Sequence, residues 1–225
     1  MQEFKLTKFK LALFSIPVVF WLIFPMVVWP FATSVTMSPQ SDGTFEFGIG
    51  IFFILSLLLI AGVFFISAVC LIFRPLRLIA LISLMICLAS GFSFIVGLFA
   101  GGSISKHIQM NALAQLAEHS KPLIAAIKNY DRKLGHPPNS LDELVPEFIP
   151  KVPTTGIGVS PNYEFESLTN SSTYGKNPWV LYINHPTGHL MSFDSFIYLP
   201  LQDYSVLSYG HVVWRIGDWA YWLQG

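Results

Sequence analysis

Histidines and an acid near the C-terminus are the residues of this chain whose types and spacing best suit chemistry. His185 and His189 flank a predicted turn, Asp194 follows it, and His211 comes later in the chain. Imidazoles across a tight hairpin, joined by a carboxylate, can converge on a metal ion. No HExxH or paired CxxC motif accompanies them, so turn or surface histidines are the alternative, and no cofactor is expected.

Hydrolytic and nucleotide chemistry have less support in the sequence. There is no G-x-S-x-G nucleophile elbow, and the Gly-Ile-Gly stretches at 48–50 and 156–158 lack the rest of a dinucleotide fingerprint. The net charge is zero, with 13 basic and 13 acidic residues, so no overall field favours nucleic acid. We therefore predict neither an enzyme nor a nucleic-acid-binding protein.

Aromatic residues form a second group of candidates near the C-terminus. Trp214 and Trp222 lie on predicted strands, where alternation can present their rings to a partner or a glycan. The alternative is that the rings fill one face of a small sheet or lie at a membrane surface. Trp214 and Trp222 are thus a possible partner surface.

The elements that position these residues begin with an apolar N-terminal half. The chain is 53% hydrophobic and only 12% charged, with a mean hydropathy of +0.56, far from a soluble average. Three stretches without Asp, Glu, Lys or Arg each exceed the roughly 20 residues that a helix needs to cross a bilayer. We predict three transmembrane helices, at about 11–31, 48–73 and 76–100.

Basic residues indicate how these helices are oriented. Three lysines precede the first predicted helix, and Arg74 and Arg77 lie between the second and third. The positive-inside bias then places the N-terminus in the cytoplasm. We predict a membrane domain at 1–102 and an extracytoplasmic domain at 103–225, in a multi-pass protein of the bacterial cytoplasmic (inner) membrane.

The predicted helices carry few functional signals of their own. Apart from Arg77 at the start of the third, they contain no Asp, Glu, Lys, Arg or His, which argues against a transporter or channel. The basic N-terminus and the first apolar stretch resemble a signal peptide. They lack a small-x-small cleavage site, so we expect the first helix to be retained. Gly97 and Gly101 have GxxxG spacing, which predicts either a helix-packing face or a flexible exit from the bilayer.

Residues 104–134 have apolar positions at helical spacing and predict a long amphipathic helix. Pro122 either kinks this helix or starts a new one, and Gly135 is placed to end it. Ser140 and Glu143 then have the spacing of a capping box that opens a short helix.

After residue 160, apolar and polar residues alternate along the chain, and this pattern predicts strands. Gly217 and Asp218 suit the two-residue loop of a final hairpin. The expected fold is a helical anchor followed by an α+β domain, in which a long helix packs on an antiparallel sheet. The predicted strands lie within 162–167, 178–183, 189–199, 211–216 and 219–223.

The stretch "PLIAAIKNYDRKLGHPPNSLDELVPEFIPKVP" resembles the globular part of type IV pilin-like proteins, above all the major pseudopilin of type II secretion. In that family the helix end reads approximately A-x-x-x-Y-x-x-x-x-G-x-x-P, followed by S-L-x-x-L. The resemblance is good over 121–153 and looser to about 199, and it implies a pilin-like fold for the domain from about 103. The matching residues are Ala126, Tyr130, Gly135, Pro138, Ser140, Leu141 and Leu144.

The residues that pilins use for processing and assembly are not matched. Gly91-Phe92 lies within a predicted span, and Val96 stands where those proteins have a glutamate. We therefore expect a membrane-anchored envelope protein whose pilin-like domain binds or scaffolds another envelope protein, in contact with membrane lipid. The alternatives are a component of a type II secretion or pilus-like assembly, and a metal-dependent accessory protein or enzyme.

Overall fold

A computed structural model of the chain describes residues 2–41, 44–168, 174–187, 193–207 and 211–223, with only the backbone described at 2–15, 46–47 and 211–213. The chain divides into two compact units. The helical unit comprises Met1–Ser34 and Thr44–Ile108, and the sheet unit comprises Val35–Gly43 and Gln109–Gly225. The connection between the first two helices thus belongs to the sheet unit, which the sequence pattern did not indicate.

The helical unit contains three helices that are long and apolar enough to cross a membrane. They are α1 (Gln2–Thr36), α2 (Thr44–Cys70) and α3 (Arg77–His119). Most of their apolar side chains face outward; Leu78 is 71% exposed and Phe99 is 76% exposed. So large an apolar surface is typical of helices that face lipid. For the described residues, the prediction of three helices long and apolar enough to cross a membrane is confirmed.

Close packing between α1 and α3 depends on two glycines. A Cβ added at Gly97 would lie 2.5 Å from the carbonyl oxygen of Leu22, and one at Gly101 would lie 2.6 Å from that of Pro25. A Cβ at Gly102 would meet nothing within 4 Å. Gly97 and Gly101 therefore form a helix-packing face, the first of the two interpretations of their spacing.

The long helical segments of the sheet unit are the end of α3 and α4 (Lys121–Leu134). Pro122 lies in the first turn of α4, so it starts a new helix rather than kinking a continuous one. Gly135 ends α4 in the left-handed conformation (φ 79°), and its N–H donates to the carbonyl of Asp131. This confirms the predicted helix stop.

Five strands form one antiparallel sheet in the order β1-β2-β3-β5-β4. Four of them fall within predicted strand segments, and β2 extends one residue beyond its predicted segment, because alternation and turn residues mark strands locally. Gly217 (φ 56°) turns the last hairpin as expected. The strands are β1 (Glu164–Ser167), β2 (Trp179–Asn184), β3 (Asp194–Tyr198), β4 (His211–Ile216) and β5 (Trp219–Leu223).

Both faces of the sheet are covered. One face packs against the end of α3 and α4 in a core that includes Leu123, Ile127 and Trp219. The opposite face carries a smaller core that includes Val180, Ile197 and Tyr204. The expected helix-on-sheet packing is present, and the second core adds a layer that alternation alone did not predict.

The residues that carry the pilin resemblance pack around the end of α4. Tyr130 and Leu144 belong to the helix-facing core, Leu141 packs against that core, and Pro138 is buried. The Tyr130 ring lies 5.3 Å from that of Phe148, which comes back over the helix. These residues therefore have a structural role.

The capping box was predicted wrongly, because Ser140 and Glu143 do not make its hydrogen bonds. The Ser140 side chain makes no capping hydrogen bond, and the short helix is a 3₁₀ turn, Leu141–Leu144. Glu143 instead accepts hydrogen bonds from the Asn139 backbone N–H (3.1 Å) and Nδ2 (3.1 Å), and from the Tyr130 hydroxyl (2.7 Å). The Glu143 carboxylate binds the N–H of Asn139, one residue before the Ser140 N–H that a capping box would use. It does so because it also accepts a hydrogen bond from Tyr130 of α4.

These contacts predict a pH dependence for the sheet unit. The hydrogen bond from Tyr130, then those from Asn139, hold the pKa of Glu143 below its ordinary value. The stabilisation is therefore present above about pH 4.3, the ordinary glutamate pKa, and is lost as the pH falls through the lowered folded-state pKa. We expect Glu143→Gln to destabilise the unit at pH 7 and to flatten the acid limb of its stability curve.

Denaturant unfolding of the full-length protein from pH 7 to pH 2 measures this effect. Asp142→Asn changes an exposed neighbouring acid and serves as the matched control. If Glu143→Gln kept the wild-type acid limb while Asp142→Asn flattened it, the hydrogen bonds to Glu143 would not be the cause.

The connection between α1 and α2 packs tightly on a loop of the sheet unit. Met37 is 7% exposed within the helix-facing core, and the Gly158 N–H donates to the Ser38 carbonyl at 3.0 Å. A Cβ at residue 158 would lie 2.4 Å from the Ser41 carbonyl oxygen and 2.5 Å from the Ser41 nitrogen. Only glycine fits there without moving backbone.

We expect Gly158→Ala to detach this connection and to lower stability by about 1–3 kcal/mol, as overpacking usually does. Hydrogen exchange at residues 36–41 measures the detachment, and thermal unfolding measures the stability. Thr154→Ala, at an exposed position of the same loop, is the control. Unchanged exchange in Gly158→Ala would show that the connection tolerates the added carbon.

Candidate ligand-binding site

A cavity of about 240 Å³ lies in the sheet unit, where β2 ends and β3 begins. Antiparallel pairing brings these two strand ends together. The cavity combines rings with polar groups, which is the usual composition of a small-molecule or side-chain site. Its lining residues are Tyr174, Tyr182, Asn184, His185, Phe193, Asp194, Ser195, Ile197 and Trp222.

The register of three strands builds the floor of the cavity. Asn184 pairs with Ser195, and Ser195 pairs with Trp222. Residues directly opposite each other in a sheet share a face, so these three side chains form one row. Trp222 belongs to the smaller core, which places the row on the face opposite the helices.

Hydrogen bonds fix the polar side chains of the floor and wall. Ser195 Oγ donates to Asn184 Oδ1 at 2.7 Å, and Asn184 Nδ2 donates to Glu164 Oε1 at 3.0 Å. The Tyr182 hydroxyl donates to Glu166 Oε1 at 2.6 Å. Burial, followed by this bond to Glu166, raises the pKa of Tyr182, so the hydroxyl stays protonated. Two carboxylates of β1 thus hold the cavity wall.

Asp194 lies beside the cavity, but its buried carboxylate is on the helix-facing side of the sheet, where Tyr221 also lies. The residue is 1% exposed, and its Oδ2 accepts hydrogen bonds from Thr187 Oγ1 (2.8 Å) and the Tyr221 hydroxyl (2.7 Å). Its Oδ1 has no hydrogen-bond partner in the described part of the chain. His185 Nδ1 lies 3.8 Å from that oxygen. One oxygen of a buried acid is therefore left for a donor.

The predicted metal ligands come together only in part. The structure places His185 beside Asp194, and Leu223 pairs with both Asp194 and His211, so the His211 backbone lies two strands, or about 10 Å, from that of Asp194. His189 and the His211 side chain lie outside what is described. Within the described residues, no three His, Cys, Asp or Glu groups are placed to hold a metal. The metal site stays a prediction.

The two candidate tryptophans do not form one surface. A register shift between Val212 and Trp214 breaks the alternation, and Trp214 packs on the helix-facing core, stacked 4.7 Å from Tyr221. Trp222 is 9% exposed and lines the cavity on the other face. The prediction that either ring meets a partner is untested, but only Trp222 belongs to the cavity.

Sequence reasoning missed most of the cavity residues. Tyr174, Tyr182, Asn184 and Ser195 carry no motif, and only the order and register of the strands bring them together. Alternation along β2 and β3 is the signal that could have shown which of the strand residues share a face. No protein-family model, curated protein or solved structure matches this chain.

Proposed function

We propose that this protein is a membrane-anchored envelope protein whose extracytoplasmic, pilin-like unit binds another envelope protein. The cavity carries the proposal, because its exposed Phe193, its other rings and its fixed polar side chains suit a side chain of a partner. Three long apolar helices provide the anchor.

The docked α1–α2 connection supports the orientation that we propose. Residues 35–43 pack within the sheet unit, so they lie on the same side of a membrane as residues 109–225. Three crossings give that arrangement, and the basic residues Arg74 and Arg77 then lie on the opposite, cytoplasmic side of the bacterial inner membrane. A reporter fused after Gly225 is expected to be active only outside the cytoplasm, and a cytoplasmic signal would refute the orientation.

Photocrosslinking in native membranes tests the binding function. A photoreactive residue at Phe193, which is 69% exposed beside the cavity, is expected to give a discrete protein adduct. The same residue at Leu134, 49% exposed at the end of α4, is the matched control. No adduct at Phe193, or the same adducts at both positions, would contradict the proposal.

One contact supports a metal-dependent accessory protein or enzyme as a second candidate. His185 Nδ1 and Asp194 Oδ1 lie 3.8 Å apart, near enough to share an ion after a small rotation of the exposed imidazole. Elemental analysis of the purified protein tests for a bound metal. The melting temperature before and after chelation tests whether that metal stabilises the protein. An adduct with a secretion platform protein would instead favour the third candidate, a part of a type II secretion or pilus-like assembly, which the pilin resemblance supports.

A further inference from the structure

A second cavity, of about 420 Å³, lies in the helical unit between α1 and α3. Its volume is within the roughly 300–1,000 Å³ of ligand sites, and its walls are almost entirely apolar. We refer to it as the groove. α1 contributes Trp29, and α3 contributes Ile95, Leu98, Phe99, Gly102, Ser103 and Lys106.

The spacing of residues along α3 forms one side of the groove. Ile95, Phe99, Gly102 and Lys106 follow each other at four, three and four residues, so they lie along one stripe of the helix. A Cβ added at Gly102 would meet nothing within 4 Å, so this position leaves open space. On the α1 side the Trp29 ring lies 5.9 Å from that of Phe53 in α2, which holds it in place.

The length of α3 places one end of the groove at the level of lipid headgroups. No Asp, Glu, Lys, Arg or His lies between Arg77 and Lys106. These two residues are 29 positions apart in one helix, which is about 43 Å at 1.5 Å per residue. A bilayer with its headgroups is about 40–45 Å thick. Lys106 is therefore at headgroup depth, and Phe99 and Ile95 extend from it toward the acyl chains.

Lys106 is the charged residue of the groove. Its ammonium is a strong donor for a phosphate group, and a lysine just outside a membrane span attracts anionic lipids. Ser103 Oγ already donates to the Phe99 carbonyl at 3.0 Å, so the lysine supplies the charged donor. Tryptophan is the residue type typical of the membrane interface, where Trp29 lies beside this lysine.

We propose that the groove binds one anionic phospholipid, with an acyl chain along Ile95 and Phe99 and its headgroup phosphate paired with Lys106. A free anion would match the lysine and leave the apolar walls uncovered. A helix of another protein would match only the apolar part. The inference goes beyond the proposed function, because it concerns the helical unit alone.

Native mass spectrometry of the delipidated full-length protein in a neutral detergent tests the headgroup contact. The probes are phosphatidylglycerol, phosphatidylcholine with the same acyl chains, and glycerol 3-phosphate. We expect one phosphatidylglycerol to bind about fivefold more tightly than phosphatidylcholine, the effect of one lysine near an anionic lipid. Glycerol 3-phosphate should not bind.

A pair of charge variants assigns the preference to one residue. Lys106→Gln should remove the preference for phosphatidylglycerol, and Lys106→Arg should keep it, because only the first removes the charge. Arg74→Gln is the matched control, since it removes an exposed basic residue from the turn between α2 and α3. Equal affinities for the two phospholipids in the wild type, or an unchanged preference in Lys106→Gln, would overturn the inference.

Filling the groove tests the acyl-chain contact separately. Gly102→Leu places a side chain in the open space, so we expect it to weaken both phospholipids alike. Its melting temperature without lipid should stay close to that of the wild type, which shows that the fold is kept. Undiminished lipid binding in Gly102→Leu, or binding of glycerol 3-phosphate as tight as that of the lipid, would refute the groove as a lipid site.

Photocrosslinking in native membranes identifies the occupant. A photoreactive residue at Phe99, 76% exposed in the groove, is expected to give adducts enriched in anionic phospholipid. The same residue at Phe92, 71% exposed on α3 outside the groove, is the control and should sample the membrane lipids without enrichment. A protein adduct at Phe99 would assign the groove to another helix and overturn the inference. The Phe193 crosslink bears on none of these outcomes, so this inference and the proposed function fail separately.

Discussion

Trp219→Ala is expected to lower the free energy of unfolding of the sheet unit by about 3–5 kcal/mol, the usual cost of emptying a large aromatic site in a core. Trp219 is 1% exposed on β5. Its ring stacks on Phe196 at 4.9 Å and lies 5.7 Å from Tyr198. Alanine would leave a cavity between β5, β3 and the helices.

Trp219 also joins the sheet to the helices by a buried hydrogen bond. Its Nε1 donates to Ser120 Oγ at 3.1 Å, and Ser120, between α3 and α4, is fully buried. Trp219→Phe keeps much of the stacking and loses this bond, so we expect a smaller loss, about 1–3 kcal/mol. The two variants together separate packing from hydrogen bonding.

Denaturant unfolding of the full-length protein, followed by tryptophan fluorescence and far-UV circular dichroism, measures the effect. Leu201→Ala removes an apolar side chain that is 56% exposed and should cost little. The free energy of unfolding of a domain is usually about 5–15 kcal/mol, so Trp219→Ala removes a large share of it. A loss below about 1 kcal/mol would show that this ring is not central to the core.

Gly101→Leu is expected to separate α1 from α3 and to destabilise the helical unit by the upper part of the roughly 1–3 kcal/mol usual for overpacking, or more. A Cβ there would lie 2.6 Å from the Pro25 carbonyl oxygen, and a leucine adds three further carbons. Pro25 lies inside α1, so its backbone has little freedom to retreat. Gly97→Leu should act in the same way against Leu22.

Gly102→Leu is a closely matched control, because the next residue of the same helix has open space around its Cα. Thermal unfolding of the three variants in one detergent compares them directly. We expect Gly97→Leu and Gly101→Leu to melt well below the wild type and Gly102→Leu to stay close to it. Equal melting of all three would mean that glycine acts there through helix propensity rather than through close packing.

Local patterns predicted the elements of this fold better than their arrangement. Gly135 and the alternating strands were predicted correctly because each signal acts within a few residues, whereas Pro122 left two alternatives open. The cavity was not predicted, since Asn184, Ser195 and Trp222 meet only through the register of three strands. The register shift before Trp214 also reversed the face that simple alternation gave it.

The residues proposed for chemistry from the sequence come together only in part, for the same reason. His185 and Asp194 are near each other because they flank one hairpin. Glu143 has the spacing of a capping box, yet the Tyr130 hydroxyl on another helix redirects it. Contacts between distant segments therefore determine the partners of these polar groups. Such contacts cannot be read from the local sequence pattern.

The docked α1–α2 connection makes the sheet unit discontinuous in the chain, and this constrains the order in which the protein folds. Residues 35–43 are synthesised early, but Gly158, which binds Ser38, follows only after α2, α3 and α4. Contacts so distant in sequence form late, after the intervening chain has been placed. The sheet unit therefore becomes complete only after the chain has been synthesised beyond residue 158, so residues 35–43 wait for their partners through the synthesis of α2, α3 and α4.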